Sequence, residues 1–117
     1  MSTYIILGTY SNKGARGLVE GESNRRAAME ILTNSAGAKL LDYHITRGIY
    51  DFCVIAEAEN FEMVAAMNLK AKAADTVGKL DVIESLNIDE IRNYAKKVTF
   101  LSPTEKWFFR FKWRLPW

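Results

Sequence analysis

The stretch RGIYDFCVIAEAEN, residues 47–60, predicts a β-hairpin turn followed by a strand. Gly48 can adopt the positive backbone φ that a tight turn requires, and Asp51 can accept hydrogen bonds from turn amides. Two strand-like runs, residues 38–47 and 50–58, flank the glycine and the residue after it. We therefore expect the two runs to pair as an antiparallel hairpin.

Upstream of this hairpin, the sequence predicts a strand, a loop and a helix. Residues 3–10 are β-branched and aromatic, which favours a buried strand, whereas residues 11–22 hold three glycines and favour a loop. Ser23 is the expected N-cap of a helix over residues 25–36, and Gly37 suits the position after its end. Helical periodicity places four residues on one face of this helix: Ala28, Ile31, Leu32 and Ser35.

Downstream of the hairpin, the sequence predicts a second helix, a fourth strand and a short third helix. Asn60 is the expected N-cap of a helix over residues 61–75, which Gly78 ends after a short turn. Residues 79–86 alternate as a strand does, and residues 87–98 begin with a capping-box pattern. The order β-α-β-β-α-β, with an added helix, is that of an α+β ferredoxin-like fold, in which a four-stranded antiparallel sheet carries two helices on one face.

Strand alternation divides the predicted sheet into a helix-facing side and an open side. The set expected to face the helices is Leu41, Tyr43, Ile45, Phe52, Val54, Ala56, Leu80, Val82 and Leu86. The set expected on the open side is Leu40, Asp42, His44, Thr46, Asp51, Cys53, Ile55, Glu57, Asp81, Ile83 and Ser85. The residues on the open side are too apolar to be fully exposed to water and too polar to form a dry core. We therefore expect two such sheets to stack into a homodimer or a higher homo-oligomer and to enclose a partly polar pocket.

Five residues in and around the hairpin are candidates for lining such a pocket: His44, Asp51, Cys53, Tyr50 and Asp42. His44 could be a general base, a haem ligand or a metal ligand, or an ordinary strand histidine. Cys53 is either a small buried hydrophobe or, with His44 close by, a nucleophile. Tyr50 fits a packed aromatic residue better than an acid. A single histidine without a second ligand is weak support for a metal site, so we predict no metal and no cofactor.

The C-terminal segment departs in composition from the rest of the chain. We expect a domain over residues 1–98 and an arm over residues 99–117, with one helical turn that leads into an extended segment. Residues 102–117 hold all three tryptophans, half of the six phenylalanines and a net charge of +3. Such a segment suits a packed arm, a membrane surface or docking onto a larger protein complex. The docking candidates are Trp107, Phe108, Phe109, Arg110, Phe111, Lys112, Trp113, Arg114 and Trp117.

Size and charge exclude several classes of protein. The chain has 117 residues and a formal net charge of +2, which fits one domain and makes nucleic acid an unlikely partner. It has one cysteine, no visible secretory signal and no apolar run long enough to span a bilayer. We therefore expect a cytoplasmic protein, with membrane association on the cytoplasmic side left open. Arg25 and Arg26, beside the basic segment 14–17, could hold an anion, although no phosphate-binding fingerprint is present.

The segment Gly48-Ile49-Tyr50-Asp51, followed by FCVIAEAEN, resembles the signature of the GYD domain family. TYIILGTYSNKG at the start, Arg-Arg-Ala-Ala in the first helix and Gly-Ala-Lys before the second strand are similar to that family as well. The resemblance covers residues 3–95 and implies a dimeric α/β barrel, in which a ferredoxin-like sheet stacks on its twin. The family is functionally uncharacterised, so the resemblance implies no reaction and no catalytic residue.

A similar G-x-Y-D hairpin occurs in the effector-binding domain of Lrp/AsnC-type regulators. No helix-turn-helix precedes the hairpin here, so we expect no DNA binding by this chain alone. The function predicted first is a non-catalytic accessory subunit that assembles through its sheet and docks through its arm. The alternative is a small enzyme or a small-molecule-binding protein, with haem as one possible ligand and a pocket between two stacked sheets.

Overall fold

The computed structural model of this chain describes residues 1–21 and 24–101. They belong to two compact units, Met1–Leu86 and a second unit that begins at Asn87 and is described up to residue 101. The first unit contains the sheet and its helices. Ser23, the predicted helix cap, and the docking candidates of the arm lie outside the described residues.

The secondary structure follows the predicted order with one extra helix. The first unit consists of β1 (Ser2–Tyr10), α1 (Asn12–Glu20), α2 (Arg25–Ser35), β2 (Lys39–Ile45), β3 (Phe52–Ala58), α3 (Phe61–Ala73) and β4 (Val77–Ser85), and the second contains α4 (Ile88–Ala95). The strands form one antiparallel sheet in the order β2-β3-β1-β4. The predicted ferredoxin-like fold is therefore confirmed.

The core lies between the helix-facing side of the sheet and helices α2 and α3. Along β3 every second residue is buried, which is the alternation expected of a strand with one covered face. The buried cluster consists of Tyr4, Ile6, Ala38, Leu40, Phe52, Val54, Ala58, Val64 and Met67. Because β1 and β3 are the two central strands, they contribute the middle of this cluster.

A β-bulge in β2 reverses the predicted sides of two leucines. Leu40 lies opposite Ala56, but the next paired residue is Asp42, opposite Ile55, so that Leu41 is the extra residue. Leu40 is consequently buried and Leu41 is 38% exposed. Strict alternation places Leu41 on the buried side and Leu40 on the open side, because it does not allow for an inserted residue. Beyond the bulge, Tyr43 returns to the helix-facing side as predicted.

Residues 12–20 form helix α1 where the sequence predicted a loop. The Ser11 side chain caps the helix by accepting a hydrogen bond from the Gly14 amide, at 3.0 Å. Gly14 is buried against the turn that precedes β4, and a Cβ atom there would lie 2.0 Å from the Thr76 carbonyl oxygen. The glycine therefore serves close backbone packing, which a rule that treats glycine as a loop residue does not recognise.

Helix α2 begins at Arg25 as predicted, but its N-cap lies one residue later than predicted and the helix presents a different face. Its N-cap is Asn24, whose side chain accepts a hydrogen bond from the Ala27 amide at 3.1 Å. Thr33 is fully buried, whereas Ile31 is 71% exposed. The residues that pack towards the core are thus Met29, Leu32 and Thr33 rather than the predicted face with Ile31 and Ser35. Gly37 follows the helix with a φ of +83°, as predicted.

The remaining caps and ends agree with the sequence except at one position. Asn60 caps α3 and Asn87 caps α4, each through its side-chain oxygen. Helix α3 ends at Ala73, and Asp75, with a φ of +59°, makes the reversal predicted for Gly78. Gly78 lies inside β4 instead. A short polar residue can hold this left-handed conformation, which is why the glycine was not needed for the turn.

We expect Gly14→Ala to lower the free energy of unfolding by about 1–3 kcal/mol, because the new methyl group collides with the backbone at Thr76. Urea denaturation measures the change. The control is Arg16→Ala, at an exposed position of the same helix, which should change stability by less than about 0.5 kcal/mol. Equal losses in the two variants would show that α1 does not depend on this close contact.

Candidate functional site

The hairpin connection between β2 and β3 is a four-residue loop closed by Thr46 and Asp51. The Thr46 amide donates to the Asp51 carbonyl oxygen at 2.9 Å, and the Thr46 hydroxyl donates to the Tyr50 carbonyl oxygen at 2.7 Å. Gly48 has a φ of +128°, a conformation that side chains rarely adopt. The loop is longer than the predicted two-residue turn.

Asp51 ties this loop to the end of β1. Its carboxylate oxygen Oδ2 accepts a hydrogen bond from the Tyr10 amide at 2.9 Å, and its own amide donates to the Gly8 carbonyl oxygen at 2.7 Å. The amide that the carboxylate binds therefore belongs to a neighbouring strand and not to the turn. One carboxylate oxygen of Asp51, which was predicted to line a pocket, is therefore engaged in holding two strands together.

Tyr50 and Asp81 form a polar pair, and Lys79 contacts the same Asp81 oxygen. The Tyr50 hydroxyl donates to Asp81 Oδ2 at 2.7 Å, and Lys79 Nζ lies 3.4 Å from the same oxygen. The hydrogen bond from Tyr50 is the main reason why the pKa of the Asp81 carboxyl is lowered. The same bond raises the pKa of the Tyr50 hydroxyl. The loop thus reaches past β1 to β4.

Asp42 and His44 form a second polar pair on the edge strand β2. His44 Nε2 lies 2.9 Å from Asp42 Oδ2, while Asp42 Oδ1 accepts a hydrogen bond from the Tyr43 amide at 2.9 Å and lies 3.4 Å from Arg26 Nη1. The backbone hydrogen bond from Tyr43 is the main reason why the pKa of the Asp42 carboxyl is lowered, and the contact with His44 adds to it. Both partners of the pair are largely accessible to solvent.

The register places these pairs at opposite ends of one row across the sheet. His44 lies opposite Cys53, Cys53 opposite Leu7, and Leu7 opposite Asp81. Adjacent strands are about 4.8 Å apart, so His44 and Asp81 are separated by about 14 Å. Three of the predicted pocket residues, Asp42, His44 and Cys53, are therefore neighbours on β2 and β3, whereas Tyr50 reaches over to β4.

The sequence did not predict a cavity that the described residues form on the helix-facing side of the sheet. It has a volume of about 230 Å³ and lies between α2, α3 and the sheet. Its lining consists of Tyr10, Arg25, Ala28, Met29, Leu32, Tyr43, Phe52, Lys70, Ala71, Ala74, Thr76 and Val77. The pocket predicted between two stacked sheets is a different place and stays a prediction.

Two tyrosines and an arginine are among the polar residues that line this cavity. The hydroxyl oxygens of Tyr10 and Tyr43 are 2.7 Å apart and share a hydrogen bond, and the Tyr10 ring lies 5.1 Å from the Phe52 ring. Burial, followed by the bond to Tyr43, raises the pKa of the Tyr10 hydroxyl. Arg25 Nη2 donates to the Gly14 carbonyl oxygen at 3.3 Å. The available sequence signal was Tyr43 on the helix-facing side, because a buried tyrosine hydroxyl needs a partner.

Comparison with known proteins identifies the family. The model of the GYD domain family matches residues 4–95, which is most of the chain. The chain belongs to the GYD domain family. The resemblance of the Gly48–Asp51 loop and its flanking segments is thereby confirmed. No curated protein matches the chain.

Two solved structures are similar to this GYD domain. The crystal structure of FFRP-DM1 is 17% identical, with a TM-score of 0.50, over 74% of this chain and 100% of that one. A hypothetical protein, PHS023 from Pyrococcus horikoshii, is 17% identical, with a TM-score of 0.49, over 74% of this chain and 92% of that one. At this identity the likeness to FFRP-DM1 concerns the fold alone.

The described part of this GYD domain protein has neither a membrane-spanning helix nor a cluster of metal ligands. Within residues 1–21 and 24–101, no helix has the length and apolar character needed to cross a bilayer. In the same ranges, no three side chains of His, Cys, Asp or Glu are grouped as metal ligands would be.

We expect Asp51→Ala to destabilise the protein by about 1–3 kcal/mol, because the Tyr10 amide loses a charged acceptor. Asp51→Asn retains an acceptor oxygen and should lose clearly less. Urea denaturation of both variants measures the difference. If Asp51→Ala unfolds at the wild-type urea concentration, the carboxylate has no structural role and becomes a stronger ligand candidate.

Proposed function

We propose that this GYD domain protein is a non-catalytic binding subunit that forms a homodimer through the open side of its sheet and docks through its C-terminal arm. The observation that carries the proposal is a row of isoleucines across the middle of the open side. Ile5 of β1 lies opposite both Ile55 of β3 and Ile83 of β4. Leu7 adds to it in the next row.

The apolar row needs a cover that the first unit does not provide by itself. Ile83 is 52% exposed, and Ile5, Leu7 and Ile55 are each only partly buried. Helices α2 and α3 pack on the opposite side of the sheet. A contiguous apolar patch that is rimmed by polar residues typically marks a protein interface. Here the rim includes the Asp42–His44 pair at one end and the Tyr50–Asp81 pair at the other.

A second copy of the chain fits this surface better than an unrelated partner. A two-fold axis through the centre of the isoleucine row brings the row against itself, and twisted sheets pack face to face at a small angle. Four strands of seven to nine residues make a face of about 20 by 26 Å, or about 500 Å². Two such faces reach the roughly 1,000 Å² of a specific interface.

The arm is the proposed docking element, and its composition favours a protein partner. Residues 102–117 combine three tryptophans with four cations, and tryptophan and arginine are the residues that most often dominate binding energy at protein interfaces. A single acid lies among them, so an acidic surface is the complementary target. This part of the proposal rests on sequence composition alone.

The dimer is tested by Ile5→Lys. A lysine in the isoleucine row would have to be buried without a counter-charge, so we expect its dimer dissociation constant to rise by about 100-fold or more. Native mass spectrometry and light scattering measure the subunit count. The control is Ile31→Lys, the same change at an exposed position of α2 on the other side of the sheet. A monomeric wild-type protein, or equal dimers in both variants, contradicts the proposal.

Docking is tested by removing residues 102–117. We expect the truncated chain to remain dimeric and folded but to lose a stoichiometric protein partner that the full chain retains when isolated from its own source. Native mass spectrometry identifies both species. Vesicles that contain phosphatidylserine provide the counter-test. If the full chain sediments with them, the truncated chain does not, and no protein partner is retained, the arm binds lipid and the docking proposal fails.

A further inference from the structure

The helix-facing cavity lies on the other side of the sheet from the proposed dimer interface, and the dimer proposal makes no use of it. We propose that this cavity is a binding site for a small monocarboxylate with an apolar, aromatic body. The structure supplies a suitable volume, an arginine whose buried Nε has no hydrogen-bond partner among the described residues, a pair of tyrosine hydroxyls and apolar walls. Each of these features is independent of whether the protein dimerises.

The volume sets the size of the ligand. An apolar protein cavity of about 150 Å³ holds a benzene molecule, so a cavity of about 230 Å³ has room for roughly nine non-hydrogen atoms. The space exists because small alanines line it on both helices, with Ala28 on α2, Ala71 on α3 and Ala74 directly after the end of α3. A benzoate-sized molecule fits this limit.

Arg25 supplies the recognition of a negative charge. Its Nε atom is buried and makes no hydrogen bond within the described residues, although Nη2 donates to the Gly14 carbonyl oxygen. A buried guanidinium N–H without an acceptor is costly. A carboxylate can accept two parallel hydrogen bonds from the edge of a guanidinium group. Helix α1 packs close to Arg25, since a Cβ atom on Gly17 would lie 3.1 Å from Nη2.

The two tyrosine hydroxyls can complete the binding of the carboxylate. One hydroxyl of the Tyr10–Tyr43 pair donates to the other, so one of the two hydrogens is left for an external acceptor. Desolvation of Tyr10 raises the pKa of its hydroxyl, which keeps it protonated and able to donate at neutral pH. The tyrosine pair therefore offers the ligand carboxylate a hydrogen-bond donor and does not repel it with a negative charge.

The charge of the lining discriminates between ligands. Arg25 and Lys70 are cationic, and no aspartate or glutamate lies among the described residues of the lining. The nearby Asp51 carboxylate binds the Tyr10 amide and is not part of the lining. An amine of the same size would meet two cations without a counter-charge, so it should be rejected. Phe52, Met29, Leu32 and Val77 provide the apolar wall for a ring.

The test is isothermal titration calorimetry of the full chain with benzoate, benzyl alcohol and benzylamine. We expect benzoate to bind with a dissociation constant on the order of 1 mM or tighter, and the other two to bind at least about tenfold more weakly. Arg25→Met should weaken benzoate binding by at least about tenfold. The matched control is Arg26→Met, which makes the same change at the next residue of the helix, outside the cavity, and should leave affinity within about twofold.

A second pair of variants tests the location without changing charge. Ala71→Leu and Ala28→Leu fill the cavity from opposite helices and should abolish benzoate binding while circular dichroism reports a folded protein. Two are used because one of them could fail to fold. The proposal is overturned if benzoate does not bind the wild-type chain up to about 10 mM. It is equally overturned if a folded filled variant or Arg25→Met binds benzoate as the wild type does.

Discussion

The contact between Asp51 and the end of β1 is the interaction on which the rest of the structure depends. The carboxylate accepts the Tyr10 amide, and the Asp51 amide donates to Gly8, so the hairpin loop and the central strand are held at one end of the sheet. The paired register of β1 with β3 ends with Gly8 opposite Phe52, two residues before Tyr10. The Tyr10 amide would therefore need another acceptor at this point, and the Asp51 side chain supplies it.

This anchor has consequences on both sides of the sheet. On the helix-facing side it fixes the position of Tyr10. The Tyr10 ring packs on Phe52 and its hydroxyl hydrogen-bonds with that of Tyr43, so the anchor positions one wall of the cavity. On the other side, the loop that ends at Asp51 carries Tyr50 across β1 to Asp81. One short loop thus connects the proposed ligand site with the rim of the proposed interface.

The two sides of the sheet differ in how they satisfy their polar groups. On the open side, acids pair with nearby donors in solvent, and the pKa values of Asp42 and Asp81 are lowered by hydrogen bonds. Such exposed pairs contribute little to stability. On the helix-facing side, the Tyr10–Tyr43 pair is partly buried, and Arg25 Nε is buried without a hydrogen-bond partner among the described residues. Buried polar groups carry larger energetic consequences, which is why we propose the cavity, and not the row of hairpin candidates, as the small-molecule site of a single copy.

Local signals in the sequence were sufficient for the order of strands and helices, for the hairpin, and for the family. The Asn60 and Asn87 caps and the role of Gly37 were predictable because each depends on neighbours within a few residues. The positions of His44 and Cys53 on facing strands followed from the hairpin in the same way. The sequence placed Asp42 and His44 on the same side of the sheet, but it did not predict the contact between Tyr50 and Asp81, which are 31 residues apart.

Only the tertiary structure decided the features that depend on distant segments. Helix α1 exists where three glycines predicted a loop because Gly14 packs against the Thr76 backbone. The bulge at Leu41 shifts the pairing of β2 with β3 by one residue, and a strictly alternating sequence pattern cannot predict such an insertion. The cavity brings together Tyr10, Arg25, Tyr43 and Ala71 from four elements. The sequence by itself determined which elements form, since caps and periodicity are local; packing decided what those elements enclose, since that depends on side chains far apart in the chain.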